Sequence, residues 1–132
     1  MSSCELALSW GKQGAGKEGT KKERKMAKEF SEYVKEAVWN KARIVPGYNS
    51  SELRQDIAGA WIKKSEYGNR DSRWGWEIDH IKPESLLGSD HPDNLQPLQW
   101  ENNVSKGDDF PAWWTAVSSV GETYVKSTRR IG

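Results

Sequence analysis

The sequence predicts an α+β fold, and three patterns carry that prediction. Residues 21–41 place Met26, Phe30, Tyr33, Val34, Ala37 and Val38 at helical spacing, with lysines and glutamates on the other face. Residues 74–81 (WGWEIDHI) and 95–99 (LQPLQ) read as short strands. Residues 100–106 fit a helix, with Gly107 as its stop.

In chain order, residues 1–20 read as a disordered N-terminus: GKQGAGKEGT has four glycines and no apolar period. Gly11 to Lys17 matches the opening of a phosphate-binding loop. Glu18 then stands where Ser or Thr must hold magnesium, and no strand precedes it, so that reading is set aside. Pro46-Gly47 closes the 21–41 helix. Asn49-Ser50-Ser51 reads as a cap for a short helix through Gln55 and Ile57. Residues 60–64 fit a strand, and Tyr67-Gly68-Asn69 a turn. In the strand at 74–81, Trp76, Ile78 and His80 share one face, and Glu77, Asp79 and Ile81 the other. Residues 82–93 form a loop. Residues 110–114 are an aromatic cluster expected to pack on the core, and 126–132 a basic tail. Residues 21–125 show no linker and make one domain.

Composition narrows the function classes. Eight tryptophans in 132 residues can fill a small core. Cys4 is the only cysteine, which excludes an intramolecular disulfide and a cysteine-built zinc site. Mean hydropathy is −0.90, and no apolar run approaches the roughly 18 residues of a membrane span. With no secretory pattern at the N-terminus, a cytoplasmic protein without membrane contact is expected. Net charge is +1, but it is unevenly spread. Residues 11–30 hold seven basic side chains against three acidic, and 71–109 nine acidic against three basic. An acidic stretch repels a polyanion unless a divalent cation offsets it locally, with basic segments supplying the remaining attraction.

The chemistry lies in residues 78–108. Asp79 and His80 are adjacent near a strand end, Asn94 follows a turn-rich loop, and Asn103 and Lys106 sit one helical turn apart. Hydrolysis of a phosphodiester needs a base to activate water, a cation to neutralise developing charge, and a group to orient the base. Histidine is the natural base near neutral pH. Asp79 and Asn103 offer hard oxygens suited to Mg²⁺ or Mn²⁺. Spacing alone leaves Asn102 and Asn103 both open. His91 and Glu101 read as surface residues, and the tryptophans as core rather than a base-stacking platform. In a regular strand Asp79 and His80 face opposite ways, so a strand end or a twist is needed to turn both toward one phosphate.

The segment D-H-I-x-P-x-S, then Gly-Ser-Asp, then N-L-Q-P-L, then N-x-x-K-G-D resembles the HNH endonucleases, the ββα-metal or His-Me finger nucleases. It covers about thirty residues strongly. The resemblance implies a ββα-metal core at about 74–108 with an N-terminal helical extension. It makes Asp79 and Asn103 metal ligands, and His80 the general base. Asn94 would fix the His80 ring or the loop, and Lys106 would contact a phosphate. Arg70 and Arg73 are further candidates for phosphate contact. The pattern is the H-N-N variant found in the HNH domains of RNA-guided nucleases. The two C-x-x-C pairs of many members are missing: Gln99 and Asn102 occupy the second pair's positions. No structural zinc is therefore expected, and Trp74, Trp76, Trp100, Trp113 and Trp114 are expected to replace that staple by packing.

The implied activity is metal-dependent hydrolysis of DNA. Each active site would nick one strand, leaving 5′-phosphate and 3′-hydroxyl ends, with Mg²⁺ or Mn²⁺ as cofactor. His80 must be neutral to act, so activity should fall at low pH. Double-stranded DNA is the expected partner, with RNA and single strands as further substrates, and the chain a monomer or weak dimer. The alternative is a non-catalytic nucleic-acid-binding module that keeps the ββα shape.

Overall fold

The structure, a computed structural model, describes residues 29–132. The N-terminal segment, the G-x-x-x-x-G-K stretch and Met26 lie outside the described residues. The fold is mixed α/β, with two helices and four two-stranded antiparallel sheets among the described residues.

Helix α1 spans Glu32–Trp39. Ser31 caps it, its Oγ accepting from Val34 N at 3.2 Å, and Glu32 in the first turn complements the helix dipole. Its C-terminal end buries Val38 and Trp39. Strand β1 (Leu53–Gln55) pairs with β2 (Trp61–Lys63), with Arg54 opposite Ile62. The short helix expected from residues 49–51 onward is thus a turn and a strand. Asn49 Oδ1 accepts from Ser51 N at 3.0 Å, closing an Asx turn rather than capping a helix. Leu53, Arg54 and Gln55 then find ladder partners in β2.

Strand β3 (Trp76–His80) pairs with β4 (Leu95–Gln99) in the register Trp76 to Gln99 and His80 to Leu95. Helix α2 (Trp100–Lys106) follows β4 directly. Gln99 caps it: its Oε1 accepts from Glu101 N and Asn102 N. Gly107, at φ +55°, ends it, its N–H donating to Asn103 O. These boundaries match the sequence expectation. Beyond them, β5 (Trp113–Trp114) pairs with β8 (Arg130–Ile131), and β6 (Val117–Val120) makes a hairpin with β7 (Thr123–Lys126). Residues 126–132, read as a tail, therefore contain a strand.

All five residues of β3 are buried, because both faces of the strand are covered. On one side Trp76, Ile78 and Leu95 join Val38, Trp39, Ala42 and Ile62 in the main apolar cluster. Trp76 meets Trp39 at 5.3 Å and Tyr67 edge-on at 4.9 Å between ring centroids. On the other side Glu77 and Asp79 face α2. The tryptophans divide: Trp39, Trp61, Trp76 and Trp113 are buried, whereas Trp74 and Trp114 are about half exposed. Among the described residues no helix is long and apolar enough to cross a membrane.

Candidate active site

The alternation of β3 sets the site. Asp79 turns toward α2 and His80 toward the α1 side, where its ring lies 6.0 Å from that of Phe30. Asp79 is fully buried. Its Oδ2 accepts from Gln96 Nε2 at 3.0 Å, across the ladder, and lies 3.2 Å from Lys106 Nζ. The same ammonium donates to the His80 carbonyl at 3.0 Å. Lys106 is 1% exposed. The sequence expectation placed this ammonium on a phosphate; the structure places it inside, neutralising Asp79.

One turn earlier on α2, Asn103 meets the other inward carboxylate of β3. Its Nδ2 donates to Glu77 Oε1 at 2.8 Å. Arg70 grips the same carboxylate in a bidentate pair, Nε at 2.7 Å and Nη2 at 2.9 Å. Arg70 also lies 5.7 Å from the Trp100 ring. It is a structural partner here rather than an outward phosphate contact. Arg73 is exposed and stacks over Tyr124 at 4.3 Å. Glu77 was not singled out by sequence reasoning, although its position two residues before Asp79 puts both on one face of the strand.

Hydrogen bonding distinguishes Asn102 from Asn103. Asn102 is saturated: Nδ2 donates to Asp56 Oδ2 and Val117 O, and Oδ1 accepts from Ala116 N and Val117 N. Asn103 is equally buried, yet its Oδ1 has no hydrogen-bond partner. Buried polar atoms are almost always satisfied. A buried amide oxygen without a donor, in the layer that holds two carboxylates, suits a cation.

His80 Nε2 lies 2.7 Å from Asp90 Oδ1 and 3.9 Å from Glu84 Oε2. One ligand atom from each of His80, Glu84 and Asp90 falls within 4.8 Å of the others, a spacing that could hold a metal ion. Sequence reasoning missed this cluster; its only signal was acidic residues four and ten positions beyond the histidine. Asn94 pins the loop rather than the His80 ring. Its Oδ1 accepts from Lys82 N at 2.9 Å, and its Nδ2 donates to Lys82 O at 3.0 Å and Ser89 O at 2.8 Å. His91 is exposed, its Nδ1 accepting from Asp93 N. Glu101 is half-buried and tied to Gln99 and Tyr124. Burial and the Glu101 bond push the Tyr124 phenol up to about 12.

Asp56 is the buried hub behind the site. Its Oδ1 accepts from Ala58 N and Ala60 N, and its Oδ2 from Gln99 N and Asn102 Nδ2. Burial pushes this carboxyl up, and the four donors offset only part of that rise. It ties the β1–β2 turn to the start of α2.

The structure thus brings Asp79, Asn103 and Lys106 into one layer between β3 and α2, and leaves the His80 imidazole on the opposite face of β3, beside Phe30. The chain matches no family model, no curated protein and no solved structure.

Proposed function

We propose that this chain is a metal-dependent endonuclease of the HNH type, with β3, β4 and α2 as its ββα-metal unit. The observation that carries the reading is the unpartnered Asn103 Oδ1, buried in the layer that contains the Asp79 carboxylate. A hard divalent cation supplies what that oxygen lacks, and an amide with a carboxylate favours Mg²⁺ or Mn²⁺. Asp79 and Asn103 would hold the ion. When bound, it would stabilise charge on the phosphate and on the leaving 3′-oxygen.

The chain's own groups do the rest. His80, on the opposite face of β3 from Asp79 but at the last position of the strand, would reach the phosphate around that end and take the proton from the attacking water. The water oxygen bonds to phosphorus as the bond to the 3′-oxygen breaks, and that oxygen is protonated from solvent. The products carry 5′-phosphate and 3′-hydroxyl ends. One such site cuts one strand, so a monomer nicks duplex DNA. Arg73 is exposed and would meet a phosphate from outside.

The test is plasmid nicking with Mg²⁺, Mn²⁺ or EDTA, joined to calorimetric titration with Mn²⁺. Wild type should nick only with metal, and His80→Ala should abolish nicking while still binding the ion. Asp79→Ala and Asn103→Ala should both lose Mn²⁺ affinity. Loss of affinity in Glu84→Ala instead, with Asp79→Ala unaffected, would move the ion to the His80–Glu84–Asp90 cluster and end the role of His80 as base. DNA binding without cleavage under every metal would leave a binding module.

A further inference from the structure

We propose that Asp90 is the positioning residue for His80, and that the loop of residues 82–94 is built to deliver it. The inference rests on the nuclease reading only for its consequence for rate.

An ionised carboxylate accepts hydrogen bonds and donates none. With Asp90 Oδ1 2.7 Å from His80 Nε2, the ring proton belongs on Nε2. Nδ1 then keeps its lone pair, which makes it the atom that takes the proton from water. A base needs a third group to set its tautomer and orientation, and Asp90 supplies that group.

Asp90 lies on an exposed loop, and its side chain is 56% exposed. Left to itself such a side chain would sample many positions. The loop removes that freedom at the neighbouring residue. Asn94 Nδ2 holds the Ser89 carbonyl, immediately before Asp90, and also the Lys82 carbonyl at the start of the loop. Its Oδ1 closes on Lys82 N. One amide therefore joins both arms of the loop. Gly88 permits the closure, because a Cβ there would overlap the Lys82 carbonyl. Asn94 thus acts on His80 at one remove: it sets Ser89, which sets Asp90, which sets the ring.

The experiment uses the full chain, with ¹⁵N-labelled imidazoles followed by NMR at about pH 8, above the ordinary histidine range. His80 is assigned by its absence in His80→Ala. Wild type should show the Nε2–H tautomer. Asp90→Ala should shift the ring toward a tautomer mixture. It should also lower kcat for nicking about 10- to 100-fold, the scale on which losing an orienting partner acts, with KM for DNA and Mn²⁺ affinity unchanged. Asp90→Asn, which keeps an oxygen acceptor, should restore the tautomer and most of the rate. An Nδ1–H tautomer in wild type overturns the proposal, as does a ring unchanged in Asp90→Ala. A fall in Mn²⁺ affinity in both Asp90 variants overturns it in favour of Asp90 as a metal ligand. If wild type never nicks, the nuclease reading falls, while the ring spectra still decide whether Asp90 orients His80.

Discussion

Lys106 Nζ lies 3.2 Å from Asp79 Oδ2, and both side chains are closed off from solvent. A buried ion pair is balanced between desolvation and attraction, and removing one member leaves the other charge uncompensated. Lys106→Met should therefore lower stability by about 3–5 kcal/mol, read as a lower urea midpoint. The double variant Asp79→Asn, Lys106→Met should recover much of that loss, because neither charge remains. Equal losses in the single and double variants would show that packing, not charge, is what Lys106 contributes.

Asn102 and Asn103 should separate cleanly. Asn102→Ala strands the Ala116 and Val117 N–H groups and loosens Asp56. At about 1–3 kcal/mol for each buried group left unpaired, the variant should lose at least about 2 kcal/mol. Asn103→Ala removes one bond to Glu77 together with an oxygen that has no partner, so its cost without metal should stay within about 1–2 kcal/mol. Denaturant melts of both variants, with and without Mn²⁺, check this. Only Asn103→Ala should lose stabilisation by the ion.

Arg70 and Arg73 looked alike in sequence and should behave differently. Arg70→Ala takes the guanidinium from the buried Glu77 carboxylate, leaving it the Asn103 amide, and should lower the melting temperature. Arg73→Ala should leave the melt unchanged and weaken DNA binding. It should also reduce the slope of log K against log salt by about 1. Fluorescence anisotropy across a salt series checks it. An unchanged slope would remove Arg73 from the interface.

Asn94→Ala should open the loop of residues 82–89 without unfolding the domain. The Lys82 amide, bonded to Asn94 Oδ1, should lose hydrogen-exchange protection, while β3 and β4 keep theirs. The global cost should be about 1–2 kcal/mol, since these bonds are solvent-exposed. Loss of protection throughout β3 would make Asn94 a fold residue instead.

The elements were legible where the pattern is local. Residues 95–99 and 100–106 carry their own boundary signals, and the alternation in WEIDH separates Glu77 and Asp79 from His80 without coordinates. The partners were not legible, because they come from afar. Asp56 reaches Gln99 and Asn102 across more than forty residues, and nothing in the turn that contains it announces that. The resemblance gave Lys106 a phosphate to contact, and helical spacing gives its face but not whether that face is covered. The staple expected from tryptophan is shared with polar side chains. Gln99 and Asn102 work by hydrogen bonds, while Trp76 and Trp113 are buried and Trp74 and Trp114 are about half exposed. The β6–β7 hairpin was missed because its run is short and polar.

A strand covered on both sides has no spare positions. From Trp76 to Asp79, every side chain belongs either to the oily interior or to the ionic layer beneath α2. A saturation scan should find this stretch nearly intolerant throughout, alternating in kind: shape and volume decide at 76 and 78, charge and hydrogen bonding at 77 and 79. Redesign of the chemistry must then work from His80, α2 and the 82–94 loop, since residues 76–79 offer no substitution that leaves the interior untouched.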